Sequence, residues 1–291
     1  MLIWLKRHWR ELALLTLVLL VALVWWQVFN AQPTLLKVVF LDIGQGDSIY
    51  IEAPNGNQVL IDGGPGRQVL RALSSVMPWY DRSLDVVIAT HPDADHIGGL
   101  PSVLERYQVA AVMDNGQPSN TGTYRAWQAA VAAEVKDGAQ YLRARRGERF
   151  NLGAGISLDI LYPYDTPTGK DTNDGSIVAR LTYGSQAFIL TGDATIKVEQ
   201  QLLIAKTLLS AQVLKAGHHG SKTSSSPAFI KAVSPIYAII SAGKNNRYGH
   251  PHQITLDNLK AAQAQILRTD EEGSIVCLSS QDVTTCRGSA L

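Results

Sequence analysis

The chain has 291 residues, 46% hydrophobic and 18% charged, with 24 Gly and 12 Pro. That balance excludes disordered, collagen-like and coiled-coil chains. Residues 1–32 hold three of the 26 Lys and Arg and one of the 25 Asp and Glu, leaving 23 against 24, so a globally basic nucleic-acid surface is excluded too.

The first element is apolar. Residues 12–26, LALLTLVLLVALVWW, carry no charge, and the run continues through Gln27, Val28 and Phe29 behind Lys6, Arg7 and Arg10. Leu12 to Phe29 at ~1.5 Å per residue gives ~27 Å, enough for the hydrocarbon core of a bilayer. The basic flank suits the cytoplasmic side, and Trp25 and Trp26 suit the outer interface. The expectation is a membrane anchor within residues 1–32, crossing through 12–29, with residues 33–291 exported as one domain. A cleaved signal peptide is the alternative. Ala31 suits its cleavage site, but Phe29 stands where a small residue belongs.

LLKVVFLDI, SIYIEA and QVLIDGG then read as three short strands separated by Gly, Pro and Asn turns. A helix over 67–77 precedes the apolar strand LDVVIAT, which ends at Thr90. Ala126–Val135 and Lys197–Leu209 read as helices. Ile156–Leu161, Ile177–Tyr183, Ala187–Leu190, Ala211–Leu214 and Ile236–Ile240 read as strands. Antiparallel pairs mixed with α/β crossovers predict an α/β fold of two mixed sheets faced by helices. Ser274–Leu278 and Val283–Arg287 predict a closing hairpin, on which Cys277 and Cys286 face each other. Two free buried thiols are the alternative to a disulfide, which an exported location favours. Two cysteines in all exclude a disulfide-dense scaffold and a cysteine-rich zinc module.

Six of the seven histidines fall in pairs: His91/His96, His218/His219 and His250/His252. Thr90-His91-Pro92-Asp93-Ala94-Asp95-His96 follows an apolar strand and packs four potential ligands into six residues. That density on a strand-end loop suits two adjacent cations, and imidazole with carboxylate suits zinc, iron or manganese. AFILTGD and VLKAGHHGS repeat the layout, ending strands at Asp193 and at His218 and His219. Ligands bind outside the carboxyl ends of strands in open α/β sheets.

HPDADHIGG resembles the HxHxDH signature of the metallo-β-lactamase fold, an αββα sandwich, and LIDGG, LTGD and GHHGS match its other motifs in order. LDIGQGDS, NDGSIV, LKAGHHGSKTSS and NRYGHP resemble, more narrowly, the C-terminal hydrolase domain of the ComEC/Rec2 competence family, over about residues 36–278. The chain matches that domain alone, on one anchor. The resemblance implies two divalent metal ions, Zn or Mn. His91 and Asp93 would hold the first, and Asp95 and His96 the second, completed by His218 or His219. Asp193 would bridge both, and Asp62 would orient the ligand loop. Asp93 stands where many members have His, which makes that site more tolerant of manganese. The expected third histidine of the first site is absent, and Asn173, Asp174 or Ser176 is the local polar cluster to replace it.

Lys215, Ser221 and Lys222 flank the histidine pair as phosphate-holding candidates. His250, near Tyr248, is implied as a proton donor to the leaving group, the alternative being a turn cap. Arg143, Arg145, Arg146 and Arg149 form either a solvated face or a phosphate-backbone contact. GQGD at 44–47 lacks the third Gly of a dinucleotide fingerprint. The implied function is an exported metal-dependent phosphodiesterase or nuclease acting on DNA, with a separate competence channel protein as a partner. Hydrolysis of cell-envelope phosphodiesters of the teichoic-acid or choline type is the alternative within the fold. A non-catalytic binding protein is the alternative outside catalysis.

Overall fold

The computed structural model describes residues 2–30 and 35–289. The cleavage candidate Ala31 and the boundary expected at 32/33 lie outside the described residues. The chain divides into two compact units, Met1–Thr34 and Leu35–Leu291.

The first unit is α1 (Leu2–Asn30), whose segment Arg7–Trp26 is long and apolar enough to cross a membrane. Leu14, Leu15, Leu17, Leu19, Leu20 and Leu23 are all exposed on it. A helix apolar on every side is not the pattern of one packed by one face onto a core.

In the second unit an antiparallel meander comes first: β1 (Leu36–Phe40), β2 (Ile49–Glu52) and β3 (Gln58–Ile61). α2 (Gln68–Val76) crosses to β4 (Ser83–Ala89), which pairs parallel to β3. The turn α3 (Ala94–Ile97) and α4 (Leu100–Arg106) lead to β5 (Gln108–Asp114), and α5 (Gly122–Lys136) leads to β6 (Gln140–Arg143). The second sheet opens with β7 (Arg149–Gly153), β8 (Ile156–Tyr162), β9 (Val178–Tyr183) and β10 (Gln186–Leu190), paired antiparallel in sequence. α6 (Ile196–Ile204), α7 (Pro227–Val233) and α8 (Gln253–Ala261) then alternate with the parallel strands β11 (Val213–Lys215), β12 (Tyr237–Ile240) and β13 (Gln265–Arg268). After α9 (Thr269–Glu272), β14 (Ile275–Ser279) and β15 (Thr284–Gly288) return to the first sheet. The two sheets run β15-β14-β1-β2-β3-β4-β5-β6 and β13-β12-β11-β10-β9-β8-β7.

Alternation along the strands builds three apolar layers. Val38, Phe40 and Ile51 of the first sheet meet Leu158, Leu181 and Phe188 of the second. Val39, Leu60 and Val87 face Leu73, Leu100 and Trp127 of the helices on the other side. Ile189, Leu214 and Ile240 face Val198, Phe229 and Leu259. Strands covered on both faces must be apolar at consecutive positions, which is why VVF, VVIA and FIL read as runs. The result is the expected αββα sandwich.

Several elements differ from the sequence reading. α5 starts at Gly122, because the Thr121 hydroxyl accepts the Tyr124 N–H as its cap. α6 ends at Ile204, because Lys206 turns left-handed. Cys277 and Cys286 lie opposite each other on β14 and β15 and are joined in a disulfide.

Candidate metal centre

The carboxyl ends of β4, β10, β11 and β12, drawn from both sheets, converge at one edge of the sandwich. β4 delivers residues 90–96, and Asp62, just past β3, pins that loop. Asp62 Oδ1 accepts the Thr90 N–H at 2.8 Å, and Oδ2 accepts the Thr90 hydroxyl at 2.6 Å and lies 2.8 Å from His96 Nδ1. With Nδ1 engaged, His96 presents Nε2 to Asp193 Oδ2 at 3.3 Å. Gly46 lets the β1–β2 loop close over the same segment. Its φ is +127°, and a Cβ there would collide with the Asp95 carbonyl oxygen.

Asp193, in the turn after β10, donates its N–H to Ser176 Oγ at 3.2 Å. Its Oδ2 lies 3.3 Å from His219 Nε2 and 3.7 Å from His218 Nε2. His219 Nε2 is also 3.3 Å from Asp95 Oδ2. On the other side, His91 Nε2 lies 3.7 Å from Asp93 Oδ2, whose partner oxygen Oδ1 accepts the Thr172 hydroxyl at 2.6 Å. Four groups of ligand atoms each lie within 4.8 Å: His91, His96 and Asp193; Asp95, His96 and His219; Asp47, Asp62 and His96; and Asp47, Asp193 and His219. The second includes half-buried Asp95, and the last two run through buried Asp47. The structure therefore brings together the candidates His91, Asp93, Asp95, His96, Asp193, His218 and His219, with Asp62 behind them.

The histidine pair is separated by environment. His219 is buried, its Nδ1 3.0 Å from the Ser241 carbonyl oxygen and 3.3 Å from Asp47 Oδ1. His218 is half-buried on the open side, its Nδ1 3.1 Å from the Thr223 hydroxyl. Both adopt left-handed backbone, φ 50° and 54°. Consecutive non-glycine residues there are strained, and such strain concentrates at functional sites.

Among the three substitutes for the missing ligand, Asp174 is spent on Thr195 and Lys197 at 2.5 and 2.7 Å, and Ser176 on Asp193. Asn173 is left, with Oδ1 buried and without a hydrogen bond among the described residues.

Lys215 requires a correction. It does not flank the cleft as a phosphate-holding group. Its side chain is wholly buried, with Nζ 2.5 Å from Asp47 Oδ2, 3.1 Å from the Gly192 carbonyl oxygen and 3.9 Å from Asp193 Oδ1. Asp47 itself went unread in GQGD. Lys222 is exposed at the rim, where its backbone N–H donates to His252 Nδ1 at 3.2 Å. His250 reaches the cleft: its ring centroid is 5.5 Å from that of His218 and 5.7 Å from that of Tyr248, on which it stacks. The arginine run is dispersed. Arg149 pairs with Asp159, Arg145 with Asp165 at 3.5 Å, and Arg146 stacks on Tyr164.

Charge separates the roles further. Burial pulls His96 and His219 down, but Asp193, with Asp62 and Asp47 respectively, outweighs it and holds both well above the usual histidine value. Burial pushes Asp193 up, yet His219 and His96 hold it well below the carboxylate range. Burial, with His219 and His218 nearby, pushes His250 down to about 4. Asp47, Asp62, Asp93, Asp95 and Asp193 set against Lys215 leave four negative charges when the imidazoles are neutral. Two divalent cations would cancel them. Asp47, Asp62 and Asp193 are buried and Asp93 and Asp95 line the open side, so the cluster draws cations, whether protons or metals. The buried Nε2 atoms of His91, His96 and His219 make no hydrogen bond among the described residues, and neither does Asp193 Oδ1. Buried polar atoms without partners call for an explanation, and a divalent cation supplies it. The donor set fits such ions.

Fold and site together define a metallo-hydrolase scaffold. Residues 41–244 match the family model of the metallo-beta-lactamase superfamily, and the chain belongs to that superfamily. Among relatives, ComE operon protein 3 of Bacillus subtilis is 35% identical over 257 residues, 82% of this chain and 32% of that protein. Competence protein ComA of Neisseria gonorrhoeae is 33% identical over 82% of this chain and 31% of that protein. Recombination protein 2 of Haemophilus influenzae is 31% identical over 84% and 29%. The chain thus spans about a third of the length of these relatives. Igni18, a metallo hydrolase from Ignicoccus hospitalis, shares the fold at 14% identity with a TM-score of 0.53, over 86% of this chain and 98% of that one.

Proposed function

We propose that the chain is a membrane-anchored, exported phosphodiesterase that hydrolyses DNA with the help of divalent metal ions. One observation carries the reading: three buried histidine Nε2 atoms without hydrogen-bond partners surround the carboxylate of Asp193. Similarity to competence and recombination proteins favours DNA over other diesters. α1 supplies the anchor, and the Lys6–Arg10 flank favours an outward-facing domain.

Asp95, His96 and His219 would hold one cation, His91 and Asp93 with Asn173 the other, and Asp193 would sit between them. Zinc and manganese both suit that set. Such ions, when bound, lower the pKa of water and stabilise charge on the attacking and leaving oxygens of a phosphodiester. The protein's own residues set the geometry. Asp62 fixes the tautomer and direction of His96, Asp47 and Ser241 do the same for His219, and Thr172 turns Asp93 toward His91. His250, neutral at pH 7, is placed to hydrogen-bond the leaving oxygen from the open side, and exposed Lys222 lies beside the entrance.

The test is hydrolysis of bis-(p-nitrophenyl) phosphate and of DNA by the purified chain with manganese or zinc. Asp193→Asn should lower both by about 10²-fold or more, equivalent to ~2.7 kcal/mol, because a neutral amide bridges two cations poorly. DNA cleavage that survives the substitution would sink the proposal. Turnover of the small diester with none of DNA would transfer it to envelope phosphodiesters. Bound metal with no ester turned over would leave a binding protein.

A further inference from the structure

A second cationic feature lies outside the metal centre, on the helix-covered face of the second sheet. A groove of about 570 Å³ is lined by Arg146, Arg149, Arg180 and Lys206, with Asp159 the one acidic side chain in its wall and Leu161 and Leu208 as apolar lining. In a domain whose basic and acidic residues nearly balance, four cations against one carboxylate is a local excess.

The guanidinium groups are held rather than free. Arg180, in the middle of β9, donates to Thr182 Oγ1 at 2.6 Å and to the Ser210 carbonyl oxygen at 3.2 Å, and its buried Nε has no hydrogen bond among the described residues. Arg146 donates to the Tyr164 hydroxyl at 2.7 Å and lies 4.9 Å from that ring's centroid. Arg149 is fixed by Asp159. Tyr164, 43% exposed, in turn touches the Gln201 carbonyl oxygen of α6 at 3.4 Å. α6 begins three residues after Asp193, and Lys206 follows its end, so the groove lies beside an element that starts at the metal centre.

We propose that this groove binds the phosphodiester backbone of a nucleic-acid strand whose scissile segment occupies the metal centre. Pre-oriented arginines suit phosphate oxygens, each offering paired N–H donors in a fixed plane. Apolar walls and an exposed tyrosine beside them suit the sugars and bases of a single strand, which a duplex keeps inside. The inference rests on the nucleic-acid reading above and adds a contact that a small diester cannot make.

The test uses Arg146→Gln/Lys206→Gln in the full chain. Both side chains are exposed, so folding should be retained. Binding of a single-stranded oligonucleotide should weaken about tenfold or more. The slope of log affinity against log salt should flatten by about 1.4, since each lost contact on a single strand is worth ~0.7. Lys136→Gln/Lys231→Gln removes the same charge elsewhere and should change neither. Hydrolysis of bis-(p-nitrophenyl) phosphate should be equal in all three proteins. Unchanged oligonucleotide affinity and slope in the groove variant, with the small diester still turned over, would overturn the groove alone. Equal weakening by both pairs, or a matching loss of binding to polyglutamate, would reduce it to general charge and overturn it too. An inactive metal centre with the slope change intact would fail the catalytic reading and leave the groove standing.

Discussion

Lys215→Met is the most informative single substitution, because it removes one buried positive charge and almost no volume. In the native protein the ammonium lies 2.5 Å from Asp47 Oδ2 and 3.9 Å from Asp193 Oδ1, with all three groups out of solvent. Breaking a buried pair by removing one partner costs about 3–5 kcal/mol, since the remaining charge is stranded. His219 Nδ1, 3.3 Å from Asp47 Oδ1, is a partial replacement partner, which points to the lower end, ~3 kcal/mol. For a domain of this size each kcal/mol moves Tm by about 2–4 °C, so the expected drop is about 6–12 °C. The assay is thermal and urea unfolding of the purified chain in chelator, where metal does not mask the effect. The deficit also has a pH signature. Burial raises the Asp47 carboxyl and Lys215 is the leading cause opposing it. Without the ammonium its folded value should rise above the unfolded ~3.9. A raised carboxyl favours the fold below its unfolded value and loses that advantage as pH rises through the folded one, so the deficit should shrink toward acid. Asp47→Asn added to Lys215→Met should recover stability, because the stranded charge is gone. A loss under ~1 kcal/mol, or one that Asp47→Asn deepens, would refute the reasoning.

Metal affinity should rise with pH. His96 and His219, held well above the usual value, keep protons that stabilise the metal-free fold below ~6.5 and are lost as pH rises through the folded values. Those protons compete with the metal, so chelator competition between about pH 6 and 8 should show roughly tenfold tighter binding per unit for each proton displaced. Affinity flat across that window would contradict it. Asp62→Asn should loosen metal binding by about 10–100-fold, through a misdirected His96, while the unfolding midpoint in chelator moves far less than for Lys215→Met. Equal metal affinity in the variant would remove Asp62 from that role. Reduction of the Cys277–Cys286 bond, or Cys286→Ser, should cost about 2–3 kcal/mol for a loop this short, read by urea unfolding with and without reductant. No difference would show the hairpin to be held by its strand pairing alone.

What was legible in the sequence follows from local physics. VVIA followed by Thr90–His96 is an apolar run broken by ligand-type residues, and both halves of that signal are contiguous. The same holds for FILTGD and for the histidine pair. β5, α4, α7, α8 and β13 left weaker traces. LPSVLER and QVAAVMD adjoin across Tyr107 with no Gly or Pro to divide helix from strand. α7 did carry a signal, just past the LKAGHHGSKTSS motif: Ser226 accepts the Phe229 N–H and Pro227 takes the first helical position, a usable helix start. The end of α6 carried none, since nothing in the identity of Lys206 announces a left-handed turn.

Asp47 and Lys215 were beyond local reading for a different reason. They stand 168 positions apart in sequence, so no local pattern pairs them. The one cue was in β11, where Lys215 lies between Leu214 and Ala216 in a strand buried at every position. A lysine cannot stay there uncompensated, so its presence demands a carboxylate that no neighbour in sequence provides. The demand runs both ways. Asp47 sits against His219, and the cluster's five carboxylates outnumber the one ammonium, which among them touches only Asp47 and Asp193, so the balance falls to protons or metal ions. The buried lysine and the converging histidines thus answer a single electrostatic requirement. Lys215 meets part of it permanently, and the rest stays open to exchange between protons and cations.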